Sequence, residues 1–149
     1  MNEQTLKKFI EQYATVHVFA VKHISELITE TLEEVSFEQF CLLRQLVTDG
    51  PLRPTELATQ LRVNKSAITA KLDRLQAKGY VDRKRDAKDG RVYTISITSE
   101  GVRVHALAQQ KVEEFVGTYI QELTEDELHS FLAIYEKILR VIEKRGDKA

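Results

Sequence analysis

The sequence predicts a mainly α-helical chain with one small β-hairpin, and three observations predict it. Apolar residues recur every three or four positions over most of the 149 residues, the spacing of a helix with one buried face. That period changes to two only after Gly79, and it returns to the helical value after Thr98. Gly50, Pro51, Pro54 and Gly79, with the capping residues Ser36, Asn64 and Thr124, fall between the periodic segments.

The elements follow in order. From Leu6 to about Thr31 the apolar positions Phe9, Ile10, Tyr13, Val16, Ala20, Ile24, Leu27 and Ile28 trace one long amphipathic helix with no glycine or proline to interrupt it. Ser36 and Gln39 form a capping box for a second helix with Phe40, Leu43, Leu46 and Val47 in its core, ended by Gly50 and Pro51. Pro54 suits the first turn of a third helix, where Leu57, Ala58 and Leu61 make a short buried stripe. Only Arg62 and Val63 separate it from a fourth helix, which has Asn64 as N-cap, Ile68, Leu72 and Leu75 on one face and Gly79 as its stop. Such tight spacing is what a helix-turn-helix requires.

Beyond Gly79, Tyr80 and Val81, then Val92, Thr94 and Ser96 alternating with Tyr93, Ile95 and Ile97, read as a two-stranded hairpin. Its tip from Arg85 to Arg91 is too polar to pack on a core and carries the turn signal Asp89-Gly90. A fifth helix runs to about Leu123 with Val112, Phe115, Val116, Tyr119 and Ile120 as apolar positions. Thr124 and Glu127 then cap a sixth, which shows Leu128, Phe131, Leu132, Tyr135, Ile138, Leu139 and Ile142 before a charged tail, residues 143–148. Architecturally this is a winged helix-turn-helix over residues 36–98, flanked by long helices over 1–34 and 99–145, in a single domain spanning 1–149.

Charge points to the module as the place of function. From Arg53 to Arg91 there are 11 basic and 5 acidic residues, a balance of +6, while the rest of the chain holds 11 basic and 18 acidic residues, a balance of −7. A basic module between acidic arms fits a polyanion and predicts salt-sensitive binding of double-stranded DNA. The face of the fourth helix opposite its apolar stripe carries Lys65, Ser66, Thr69, Ala70 and Asp73, with Lys71 and Arg74 beside it. Small side chains let a helix enter a major groove, and hydroxyls and lysine can bond base edges and phosphates. Asn64, Lys65, Ser66, Thr69, Ala70, Lys71 and Arg74 are therefore the candidate recognition residues. Arg83, Lys84, Arg85, Lys88 and Arg91 are the candidate contacts of the hairpin.

Other chemistry finds little support. No run of about 18 apolar residues is available to span a bilayer, and the N-terminus lacks the apolar stretch of a secretory signal, so a cytoplasmic protein, nucleoid-associated when on DNA, is expected. Cys41 is the single cysteine; it reads as a small apolar filler, with oxidation sensing as the alternative. His17, His23, His105 and His129 form no close metal-binding pair, and neither a phosphate-binding glycine loop nor a catalytic spacing of Ser, His and Asp occurs. No metal, cofactor or enzymatic activity is expected. A helix of roughly 25 residues spans about 37 Å, more than a small winged-helix core can cover. The surplus stripes of the first, fifth and sixth helices predict an intertwined homodimer with a twofold axis. The alternatives are a non-specific architectural DNA binder, or a winged-helix dimer that binds protein instead.

The order of elements, together with Ser36 to Leu46, Thr55-Glu56-Leu57-Ala58, Asp73 to Val81 and Asp89 to Gly101, resembles the MarR/SlyA family of bacterial winged-helix transcription regulators over nearly the whole chain. Within the last segment lie an Asp-x-Arg wing, a strand and a Thr-x-x-Gly helix start. The resemblance implies a dimer whose fourth helices enter successive major grooves of a pseudo-palindromic operator, with half-sites about 10 bp apart. Arg91 of each wing would enter the flanking minor groove, oriented by Asp89. It also implies a repressor released by a small aromatic or phenolic effector, here held by Tyr13, His17, Phe40 and Arg44. The chain departs from the common family pattern at Lys65, where many members have proline, and at Ala70, where many have arginine.

Overall fold

The computed structural model describes residues 1–32 and 35–146. Residues 33–34, at the expected end of the first helical segment, and 147–149, the end of the charged tail, lie outside the described residues. The order is α1 (Glu3–Thr31), α2 (Phe37–Asp49), α3 (Pro54–Leu61), α4 (Lys65–Ala77), β1 (Val81–Arg85), β2 (Tyr93–Ile97), α5 (Ser99–Ile120) and α6 (Glu125–Gly146). The chain divides into two compact units, Met1–Val112 and Glu113–Ala149.

Within the first unit, α1 begins three residues before the expected Leu6, because Asn2 serves as its N-cap and accepts the Thr5 N–H at 2.7 Å. Its apolar stripe is buried only near the C-terminal end, at Ile28 with Ile24 packed alongside. Leu6, Phe9, Ile10, Tyr13 and Val16 stand in solvent. The α2 capping box forms as expected, the Gln39 N–H bonding to Ser36 Oγ at 3.1 Å and the Ser36 N–H to Gln39 Oε1 at 3.0 Å. The expected core of α2 needs one correction: Val47 is 43% exposed, whereas Leu42 is fully buried. Helical periodicity gives direction around the axis but not where the packing neighbours end, and Val47 lies in the last turn.

α3 and α4 meet through Arg62, whose φ of 54° places it in the left-handed region, and the turn is closed by the Val63 N–H bonding to the Ala58 carbonyl at 3.0 Å. Asn64 caps α4 by accepting the Ala67 N–H at 2.9 Å. Ile68, Leu72 and Leu75 then bury their side chains in a core with Leu57, Leu43 and Leu46. At the other end Gly79, with φ of 80°, reverses the chain, and the Tyr80 N–H bonds back to the Leu75 carbonyl at 3.0 Å. A left-handed residue at this point releases the last carbonyls to such bonds, and glycine adopts it without steric penalty.

The strands pair antiparallel with Val81 opposite Ile97 and Arg85 opposite Tyr93. Leu52, between α2 and α3, adds a short bridge to Ile95 through two backbone bonds of 3.1 and 2.7 Å. The hairpin is thus tied to the module by backbone as well as by the buried Val81 and Ile95. The turn differs from the expected one. Gly90 is not among the residues with positive φ, so the type I′ turn that Asp-Gly favours is not formed. Instead Asp86 accepts the Lys88 N–H at 2.8 Å and Asp89 the Arg91 N–H at 3.0 Å, two side-chain-closed turns in succession. α5 starts against this sheet at Thr98. Its hydroxyl donates to the Gly79 carbonyl at 2.6 Å and accepts the Gly101 N–H at 3.0 Å.

In the second unit, α5 ends at Ile120, short of the expected Leu123, and residues 121–123 form a turn. The Thr124–Glu127 capping box is present, with the Thr124 N–H bonding to Glu127 Oε2 at 2.9 Å and the Glu127 N–H to Thr124 Oγ1 at 3.2 Å. α6 has no buried residue; Phe131, Leu132, Tyr135, Leu139 and Ile142 are all exposed.

Candidate nucleic-acid interface

The apolar stripe of α4 is turned inward by the core, so the opposite face must look outward. Asn64, Lys65, Ser66, Ala70 and Arg74 are exposed, with Thr69 and Lys71 half-buried at the edge of the face. Its hydrogen bonding is specific. The Ser66 hydroxyl donates to Asn64 Oδ1 at 2.8 Å, and the Thr69 hydroxyl donates to the Lys65 carbonyl at 3.0 Å. Asp73, also on this face, is paired with Arg83.

In the hairpin, Lys84, Arg85, Lys88 and Arg91 are exposed. Arg83 stands apart from them: its guanidinium pairs with Asp73 of α4 and lies over the Tyr93 ring at 5.4 Å. A cation held by a carboxylate and an aromatic face ties β1 to the recognition helix. Arg85 donates to the Gly90 carbonyl at 2.6 Å, which shapes the tip, and Asp89 lies 3.5 Å from Arg91 Nε while Arg91 remains 94% exposed. Arg83, Lys84, Arg85 and Arg91 line a concavity of about 300 Å³, an arrangement of charge suited to phosphate.

Two anchors of the hairpin were not among the expected site residues. Arg53, just before α3, donates from Nη2 to Asp86 Oδ2 at 3.0 Å. The Lys88 backbone N–H first, and Arg53 second, hold the Asp86 carboxyl below its usual value. The acid within an otherwise basic tip was the available signal. The other is Gly101, where an added Cβ would lie 2.2 Å from the Tyr80 carbonyl oxygen and 2.7 Å from Ile97 Cγ1; no side chain fits between α5 and the sheet.

The expected effector residues fall into two stacks. Tyr13 and His17 stack with centroids 6.4 Å apart on the exposed stripe of α1. Phe40 is buried and stacks at 5.2 Å on His105 of α5, a buried histidine whose Nε2 has no hydrogen-bond partner. Arg44, exposed on α2, is close enough to disfavour charge on His105, adding to the larger effect of burial; both lower the histidine's pKa. Cys41 is half-buried, and desolvation raises its thiol pKa against a smaller opposing pull from Arg44. It borders an apolar cavity of about 190 Å³ with Phe37, Leu42, Leu61, Val63 and Ile68. A thiol so placed is a poor thiolate and packs as a small apolar group. Among the described residues no group of three or more His, Cys, Asp or Glu side chains could hold a metal ion, and no helix is long and apolar enough to cross a membrane.

The comparisons with known proteins agree with this geometry. The MarR family model matches residues 35–93, the stretch from before α2 to the start of β2. The HTH-type transcriptional regulator YdgG of Bacillus subtilis (strain 168) is 32% identical over 152 residues, covering 100% of this chain and 99% of its own length. The HTH-type transcriptional repressor MdtR of the same strain is 32% identical over 118 residues, 76% of this chain and 75% of its own. Among solved structures, a mutant MarR from E. coli complexed with operator DNA superposes with a TM-score of 0.71 at 26% identity, over 89% of this chain and 96% of that one. This chain carries a helix-turn-helix with a basic hairpin, aligns with one transcriptional regulator over that protein's whole length and superposes on a DNA-bound MarR, and it belongs to the MarR family of transcriptional regulators.

Proposed function

We propose that this regulator is a homodimeric repressor that binds a pseudo-palindromic duplex operator through the exposed face of α4 and the tip of the β1–β2 hairpin. One observation carries the reading. In a chain of net charge −1, the exposed small and basic face of α4 and the exposed cations Lys84, Arg85, Lys88 and Arg91 belong to one hydrogen-bonded module. In this reading α4 enters the major groove and Arg91, braced by Asp89, enters the flanking minor groove; the exposure of both and the resemblance to MarR regulators support it. Lys65, Lys71, Arg74 and Lys84 neutralise phosphates. Twofold pairing accounts for the exposed apolar stripes of α1 and α6. The name of the relative MdtR supports repression, and the bound operator of the MarR complex supports duplex DNA as the target. A small aromatic or phenolic effector at Tyr13, His17, Phe40 and Arg44 would release the operator by preferring a dimer with wrongly spaced reading heads.

The experiment is selection of bound duplexes from a random DNA pool at low and near-physiological salt. An inverted repeat with half-sites about 10 bp apart is expected. Salt-sensitive binding without an enriched sequence would replace the reading by an architectural DNA binder, and no binding by a protein-interaction module.

A further inference from the structure

The polar groups of the recognition face are already committed in a way that fixes what they can offer a base. A hydroxyl has one proton and two acceptor lone pairs. Ser66 gives its proton to Asn64 Oδ1 at 2.8 Å, and Thr69 gives its proton to the Lys65 carbonyl at 3.0 Å. Each is therefore left with acceptor capacity only. Asn64 uses Oδ1 twice, for Ser66 and for the Ala67 N–H at 2.9 Å, so its oxygen is engaged in capping the helix and is not part of a bidentate amide read. Turning either hydroxyl toward a base acceptor would break a formed bond, at a cost of about 1 kcal/mol. Asp73, the one acid on the face, is held by Arg83.

Acceptors need donors, and on the major-groove edges the donors are the amino groups, N6 of adenine and N4 of cytosine. The neighbouring apolar groups select between them. Ala70 is exposed beside Thr69, whose γ-methyl is its only other substituent; small apolar groups pack on the thymine C5-methyl. An A·T pair presents that methyl and the adenine N6 amino together in one groove. We propose that Thr69 and Ala70, with Ser66 beside them, read an A·T pair by accepting from adenine N6 and packing on the thymine methyl. This inference rests on α4 being the major-groove element.

The test uses the operator enriched from the random pool, with single modified bases placed at each A·T pair of a half-site. N6-methyladenine removes the free major-groove amino proton while keeping the base pair, 7-deazaadenine removes the N7 acceptor, and uracil removes the thymine methyl. At the pair read by Thr69, N6-methylation is expected to weaken binding about tenfold, the scale of one lost base contact, and 7-deaza substitution to leave it unchanged. Thr69→Val keeps the methyl and should lose about the same affinity on the unmodified operator while becoming indifferent to N6-methylation. Thr69→Ser keeps the hydroxyl and should respond less to uracil than the parent, the remaining response coming from Ala70; helical content by circular dichroism checks that both variants fold. Sensitivity to 7-deazaadenine at that pair, or an undiminished response of Thr69→Val to N6-methylation, would overturn the proposal while leaving sequence-specific DNA binding intact. A pool that yields no enriched sequence would overturn the operator reading itself, and this proposal with it.

Discussion

At the scale of single residues, charge position separates two kinds of contact. Arg91 is almost fully exposed and touched by Asp89, so Arg91→Ala should weaken operator binding by 1 kcal/mol or more, within the ~1–3 kcal/mol of a good base contact. Unchanged affinity in a gel-shift titration would remove the wing from the reading surface. Lys84→Ala should instead weaken all sequences alike and lower the slope of log affinity against log salt by about one unit. Gly101 tests the fold. Because its missing Cβ would strike the Tyr80 backbone, Gly101→Ala should lower the unfolding free energy by about 1–3 kcal/mol, the usual cost of overpacking, read by urea denaturation. His105 tests burial. Its pKa in the folded chain lies below the ordinary 6.5, so below about that pH the unfolded chain binds the proton more readily, and stability should fall as pH drops through 6.5. His105→Leu should flatten that dependence; an unaltered acid limb would place its cause elsewhere.

Elements were legible where a local rule decides them. Asn64 before an apolar stripe, Ser36 with Gln39, and Thr124 with Glu127 each form the cap their spacing implies, because a cap bond closes within four residues and needs no distant partner. The hairpin shows the limit. Its alternation located both strands, but the turn is closed by Asp86 and Asp89 side chains rather than by Gly90, and its orientation depends on Leu52–Ile95, Arg53–Asp86 and Asp73–Arg83, contacts across ten to more than forty positions. Asp86→Ala should therefore reduce operator affinity more than it reduces stability, since the pair is open to solvent on its Arg53 side and such a pair contributes only about 0–1 kcal/mol to folding, whereas a wing free to swing must be ordered on binding. Equal affinity of the variant and the parent would show that the Leu52–Ile95 bridge and the Asp73–Arg83 pair hold the wing without Asp86.

For the whole molecule, the exposed apolar side chains of α1 and α6 are the main claim on a partner copy. Sedimentation should show a dimer at micromolar concentration, and Leu139→Glu, at a position 55% exposed in the single chain, should shift it toward monomer and abolish binding to a two-half-site operator. A charged residue that left the dimer intact would place the interface off α6. By itself the sequence determined the order of the helices, the N-caps of α2, α4 and α6, the hairpin with its period of two and the basic segment from Arg53 to Arg91, because hydrophobic period, capping and charge act over a few residues. Only the tertiary structure decided that Val47 is exposed and Leu42 buried, that Arg83 pairs with Asp73 of α4, and that His105 stacks on Phe40. Burial and side-chain partnership depend on which distant segment arrives at a face, and a one-dimensional pattern records the face without naming what will cover it.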